Sequence, residues 1–343
     1  MSRLNLSLRA HGSNITNGFA SVLFLMFLSF PSILFAEDSR LESCRKAALR
    51  IARSVEKLSA VKTHGIVESP DQTAEMWMEI RGVSIWCERI AAEGRTEKER
   101  EQSRVRQLKI AKIAGVDTKS VDSFDGGAVY ELRPLQLEAR IDHVPTFQTA
   151  VEYTAFQPQR WVTFSGQTGY ETGYFSNLLG EGEKNVVAER IASTGNYRFT
   201  QTFGNSEIPR ENRLFDVRWI EVDAETNCVV AYNSAADQSQ WDGKMKWNNF
   251  DGNWYPSTGE HHWNGKLQVR WSIDEISFDA KKVRTKFAFE ESKLPFATRI
   301  TETVNGDFKK RKIRFVGGEK GQKEHDLRVA AIRIAAQKER QRK

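Results

Sequence analysis

The stretch Leu267-Gln-Val-Arg-Trp-Ser-Ile-Asp-Glu-Ile-Ser-Phe278 decides the fold class. Leu267, Val269, Trp271 and Ile273 fall on every second position with polar residues between them. That is the two-residue period of a strand with one buried face. Ile276 and Phe278 continue the pattern one step out of phase, which predicts a bulge near Asp274-Glu275.

Working outward, the same alternation recurs. Met76, Met78 and Ile80 precede an Arg81-Gly82 turn, and Val83, Ile85 and Cys87 follow it. Phe124-Asp-Gly-Gly127 separates a short apolar run from Ala128–Leu132, which ends at Pro134. Tyr197, Phe199 and Phe203 share one face. Residues 213–222 and 228–232 flank Asp223-Ala-Glu-Thr-Asn227, a turn-forming set. Val283, Thr285, Phe287 and Phe289 alternate once more and predict a further strand. Near the end, Thr298–Val304 and Asp307–Val316 flank Asn305-Gly306, a pair that favours a hairpin turn.

Helices are few. Leu41, Cys44, Ala48, Ile51, Val55 and Leu58 recur at three- and four-residue steps and predict an amphipathic helix over 39–58. Ser39 with Glu42 fits a capping box. Residues 94–103 (GRTEKEREQS) read as a solvated loop or short exposed helix, and 104–114 fit strand or helix equally. After Gly317-Gly318 a helix carries a thin stripe of Leu327, Ala331, Ile334 and Ala335. Successive hairpins with few helices imply a mainly β (α+β) protein built on an antiparallel meander.

The first 36 residues stand apart. Arg3 and Arg9 precede an apolar run, Phe19–Phe35, and Ala36 is small enough for cleavage. This reads as a secretory signal peptide, with an uncleaved anchor as the alternative. The division expected is 1–36 signal peptide, 37–318 a single β domain with an insertion around 142–195, and 319–343 a basic helical tail. Export places the mature chain in the periplasm or outside the cell.

Composition is that of a globular chain, 39% hydrophobic and 28% charged, which excludes disorder throughout. The net charge of +6 is uneven. Without Arg3 and Arg9 it is +4, and residues 308–343 alone carry thirteen basic against four acidic side chains. Residues 37–307 are therefore at −5, a mildly acidic body that does not suit nucleic-acid binding. The tail is a solvated face or a contact for an anionic surface. Cys44, Cys87 and Cys228 form no CxxC; an oxidising compartment allows one bridge among them, and burial as free thiols is the other reading.

Catalytic signatures are missing. There is no GxSxG, P-loop or dinucleotide-binding glycine pattern. His261 and His262 are adjacent, so on a strand they face opposite ways and do not share a metal. No cofactor and no metal site is expected. Nine tryptophans are the more telling feature, five of them within 241–271. Core packing explains them, or the lining of an apolar ligand cavity. The candidate lining is Trp77, Trp86, Tyr130, Phe199, Trp219, Trp254 and Trp271.

The order of elements resembles the periplasmic carriers that sort outer-membrane lipoproteins, and related lipid-binding proteins. The matching pieces are the helix 39–58, the strand pair around 74–92, Phe124-Asp-Gly-Gly-Ala-Val-Tyr130 with Pro134, Arg218–Asn227 followed by Cys-Val-Val, and Phe250-Asp-Gly-Asn-Trp-Tyr-Pro256. The resemblance spans residues 39–316; the 142–195 excursion and the basic tail have no counterpart in it. It implies an open half-barrel whose concave, apolar face, closed by helices, shields a lipid or acyl chain without covalent chemistry. The function expected is a non-catalytic carrier or binding protein for a lipid, lipoprotein or other apolar ligand. A hydrolase of envelope or extracellular polymers and an envelope protein docking through its basic tail are the alternatives.

Overall fold

The computed structural model describes residues 39–55, 58–82, 84–144, 178–180, 186–202, 217–236 and 239–341. The expected signal peptide, most of the 142–195 excursion and Phe203 lie outside them.

Helix α1 (residues 39–55) leads into β1 (Ala60–Ser69), β2 (Gln72–Arg81) and β3 (Ser84–Glu93). Helix α2 (Glu97–Ala114) separates β3 from β4 (Ser120–Phe124), β5 (Ala128–Arg133) and β6 (Glu138–His143). A second run comprises β7 (Val186–Arg190), β8 (Tyr197–Thr202), β9 (Val217–Val222), β10 (Val229–Ala236), β11 (Ser239–Phe250), β12 (Asn253–Trp263) and β13 (Lys266–Ser277). The hairpin β14 (Arg299–Val304) and β15 (Lys312–Phe315) and helix α3 (Gly318–Gln341) complete the chain.

Among the described residues all fifteen strands join one open, curved sheet, in the order β15-β14-β6-β5-β4-β3-β2-β1-β13-β12-β11-β10-β9-β8-β7. It is two meanders, one from β1 to β6 and one from β7 to β13, fused where β1 pairs with β13. Every neighbour is antiparallel except β14, which runs parallel to β6. The turns follow the local chemistry. Asp251-Gly252 and Asn264-Gly265 hold positive φ at both positions, as two-residue hairpin turns require. Asn305-Gly306 also holds positive φ but does not close the expected two-residue hairpin: its backbone N–H groups donate to His143 and Asp142 of β6, the chain makes a further turn at Phe308–Lys310, and β14–β15 pairing ends at Glu302 and Lys312. Asp223 accepts hydrogen bonds from the backbone N–H of Glu225 and Thr226 at 3.1 and 2.7 Å, closing the expected 223–227 turn. The predicted bulge is present: His64 pairs with Glu275 and Gly65 with Ile273, so Asp274 is the extra residue.

The sheet has two faces, called here inner and outer. Cys44, Ala48, Ala52 and Val55 of α1 lie on the inner face against Phe199, Ile220, Val222, Tyr232, Met245, Tyr255 and Trp271. Small residues on α1 allow that close approach, while Trp271 and Phe199, 1% and 0% exposed, supply the buried area. The inner face of the first meander is different. There Asp122 is buried between Arg133 (2.6 Å) and Arg89 (3.3 Å), and Arg140 pairs with buried Asp142 (3.1 Å).

One expectation is corrected and one open choice is settled. Val283–Phe289 is not a strand but part of a strap, 279–298, that crosses the outer face of the first meander. Val283 and Phe287 pack on Ala60 and Trp86, and Phe289 and Leu294 pack beside Tyr130 and Ile141. Its backbone is held by side chains instead of a ladder: Arg81 donates to the carbonyls of Ala280 and Val283, and Glu79 accepts from the Arg284 N–H at 2.7 Å. This crossover is why β14 arrives parallel to β6. Second, 97–114 is one helix, started by a capping box of Thr96 and Glu99 and ended by left-handed Gly115. Its apolar periodicity is weak because only Ser103, Ile110, Ala111 and Ala114 are buried.

Gly259 sits opposite Trp271, and a Cβ there would lie 2.2 Å from the indole. Gly259→Ala is expected to cost about 1–3 kcal/mol in urea unfolding through this overlap. Adding Trp271→Leu should reduce that increment in a double-mutant cycle; an additive cycle would show that the contact does not govern the position.

Candidate functional site

Cross-strand partners share a face and successive residues alternate, so each expected lining residue can be placed. Phe199 and Trp271 meet in the inner core under α1. Trp77 is on the outer face, stacked on His64 at 5.0 Å with the Lys119 ammonium 4.1 Å from its ring. Trp86 lies under the strap with the Arg284 guanidinium 3.7 Å from the ring. Tyr130 packs edge-on against Phe289 and donates to Asp125 at 2.6 Å. Trp219 stacks under Arg198 at 4.5 Å, and Trp254 is half-buried beside the Asp251-Gly252 turn. Of the seven, the structure brings Phe199 and Trp271 into one cluster and Trp86 and Tyr130 beneath one strap.

The open space lies elsewhere. A trough of about 720 Å³ runs across β1, β13, β12, β11 and the start of β10. Ile66 and Glu68 flank Val67 there; Arg270 and Ser272 flank Trp271; Thr258 and Glu260 flank Gly259; Lys244 and Lys246 flank Met245. Since Val67, Met245 and Trp271 pack toward α1, these flanking side chains point the other way, and the trough is on the outer face. Its floor is strand backbone. Ile66, 42% exposed, and Val230 at the bulge in β10 supply apolar surface. Asn196 and Asp223 close the far end.

The charges in the trough are not equivalent. Arg270 pairs with Glu260 at 3.1 Å and with Glu68 at 4.0 Å. Asp223 is occupied by its own turn, accepting also from the Thr226 hydroxyl at 2.8 Å. Lys244 and Lys246 form no ion pair among the described residues, so they are the cations open to a guest. Of the seven expected residues, Trp271 alone lies along this trough, whose wall is made mostly by the polar neighbours of the core positions. The signal available was the Lys-Met-Lys, Thr-Gly-Glu and Arg-Trp-Ser triplets on successive predicted strands.

Among the described residues, the strongly shifted titratable groups are buried in separate places. His261 is buried against Trp241 (4.7 Å) with its Nδ1 2.6 Å from the Tyr232 hydroxyl. Burial first, then the neighbouring His262, pushes its pKa down to about 3. A neutral core imidazole of this kind holds structure rather than shuttling protons. The three cysteines are free and buried, and burial pushes their thiols up, to about 11 for Cys44 and about 12 for Cys87 and Cys228. They are thiols at neutral pH, not activated nucleophiles. Among the described residues no three His, Cys, Asp or Glu side chains are grouped to hold a metal ion. Among them, too, no helix is long and apolar enough to cross a membrane.

No family model and no curated protein matches the chain. Solved structures with a similar outline include a DUF1329 family protein from Desulfovibrio piger, 9% identical, with a TM-score of 0.37 over 74% of this chain and 99% of that one. A LolA superfamily protein from Nitrosomonas europaea is 10% identical, with a TM-score of 0.31 over 74% of this chain and 96% of that one. An uncharacterized conserved protein from Thermus thermophilus is 7% identical, with a TM-score of 0.27 over 76% and 99%. The second falls in the lipoprotein-carrier group that the order of elements resembles, and at these TM-scores none of the three carries an argument about a ligand.

The buried imidazole has a consequence for stability. Its folded pKa lies below the ordinary 6.5, so the unfolded chain takes up the proton first. Stability should therefore fall as pH drops from about 6.5 toward 3. Between pH about 6.5 and 5, before carboxylates titrate, the urea midpoint should decline for the wild type and stay flatter for His261→Gln. Equal slopes would remove His261 as the cause.

Proposed function

We propose that this chain is an exported, non-catalytic carrier or binding protein for an amphiphile with an apolar, acyl-type body and an anionic head. The observation that carries the reading is the outer-face trough. Its volume of about 720 Å³ falls in the range of small-molecule sites. Ile66 and Val230 offer apolar burial, worth roughly 25 cal/mol per Å². Lys244 and Lys246 stand at the rim, where a carboxylate or phosphate would gain a charge-assisted partner. Binding and release need no bond making, in keeping with a site that has neither a metal cluster nor an activated nucleophile among the described residues. Export rests on the apolar run Phe19–Phe35 and its basic flank.

The inner face is the competing location, and it separates cleanly by mutation. A dansyl-labelled fatty acid titrated into the purified protein should bind saturably. Ile66→Glu, and Lys244→Glu combined with Lys246→Glu, should each weaken it at least about tenfold, equivalent to about 1.4 kcal/mol. Phe199→Leu, under α1, should lower stability and leave affinity within about twofold. Absence of a saturable site, or trough variants that bind like the wild type, would refute the reading.

A further inference from the structure

The exposed apolar side chains are not scattered evenly. Among the described residues, five of the twelve large ones lie on α2 and α3: Val105, Leu108 and Ile113 on the first, Leu327 and Ile334 on the second. The two helices pack together through Ile110, Ala114 and Ile332. Arg328 fastens them, donating to the Ala114 carbonyl at the end of α2 at 2.6 Å and to the Phe296 carbonyl at 2.8 Å. Buried His325, with Nδ1 2.8 Å from the Ala297 carbonyl, anchors α3 to the end of the strap. The basic tail is thus a docked element whose outward face is set by packing.

Between the helices lies a groove of about 590 Å³. Ile113, Ala331 and Ile334 form its apolar part, and Lys109, Lys112 and Lys338 stand along it. None of its described lining residues is acidic. Either helix alone presents a stripe too thin for a membrane. Side by side they make one apolar strip, with Ile113 61% and Ile334 53% exposed, bordered by lysines on long stems. An apolar strip bordered by lysines is complementary to the headgroup region of an anionic bilayer, where isoleucines enter the acyl boundary and ammonium groups meet phosphates. A nucleic acid would meet the charges but gain nothing from the isoleucines.

We infer that the α2–α3 face is a docking surface for an anionic phospholipid bilayer, distinct from the trough and independent of what the trough binds. Docking is peripheral and electrostatic, each lysine near such a surface contributing about fivefold to partitioning.

The test is sedimentation of the processed protein with vesicles of phosphatidylcholine alone or with about a quarter phosphatidylglycerol. Wild type should partition onto the anionic vesicles and be released by about 1 M salt, which shortens the screening length to about 3 Å. Lys109→Glu with Lys112→Glu and Lys338→Glu should lower partitioning at least about thirtyfold. Ile113→Ser with Ile334→Ser should lower it at least about fivefold, by loss of buried side-chain area. These side chains are exposed, so circular dichroism should be unchanged. The trough variant Ile66→Glu should sediment like the wild type, which keeps this inference separate from the proposed ligand. Equal partitioning onto neutral vesicles, no partitioning, or wild-type behaviour of the charge-reversed protein would each overturn it.

Discussion

The pairing of β1 with β13 is the constraint on which the rest of the structure depends. It joins strands about two hundred residues apart in the chain and turns two separate meanders into one sheet. The junction is tight. A Cβ on Gly65 would lie 2.1 Å from the Ser272 carbonyl, so glycine is required where the strands close on each other. One residue away, the Asp274 bulge resets the phase of β13. Trp271 and Ile273 before it, and Ile276 and Phe278 after it, therefore all reach the same core. Without the extra residue, half of that strand would turn its apolar side chains outward.

The fused sheet then has different covers on its two faces. Helix α1 fills the inner side of the second meander, and its alanines let the aromatic core rise to meet it. The strap closes the outer side of the first meander, tied by Arg81 and Glu79. Among the described residues no element covers the outer side of the second meander near the seam, and that is where the trough lies. The trough therefore follows from where the described covering elements end. Helices α2 and α3 pack on each other, α2 also on β3 and α3 on β15, and leave a basic and apolar face outward.

Much of this architecture was legible in the sequence, for identifiable reasons. The two-residue period, the Asp-Gly turns and the phase slip after Ile273 are local signals, and each appears where the pattern placed it, whereas Asn305-Gly306 turns the chain against β6 and leaves a longer loop before β15. The α1 stripe, strong and regular, was equally plain. The strap was not, because alternating Val283 and Phe287 bury one side of any extended segment, whether or not its backbone joins a ladder. Helix α2 was obscured by its charged first half. The site was the least legible part. Large aromatic residues mark where a sheet is filled, as Phe199 and Trp271 are; a trough is marked by the smaller and polar residues between them, such as Thr258 and Ser272. Which face stays open depends on the strap and on α1, and their placement is a long-range property.

The central claim is that an apolar guest rests on the outer side of the seam and not beneath α1. A crystal of the protein soaked with a brominated fatty acid would test it directly through the anomalous signal of bromine. The account predicts a peak in the trough, over Gly259 and between Ile66 and Val230. A peak between α1 and the Phe199–Trp271 core would contradict it.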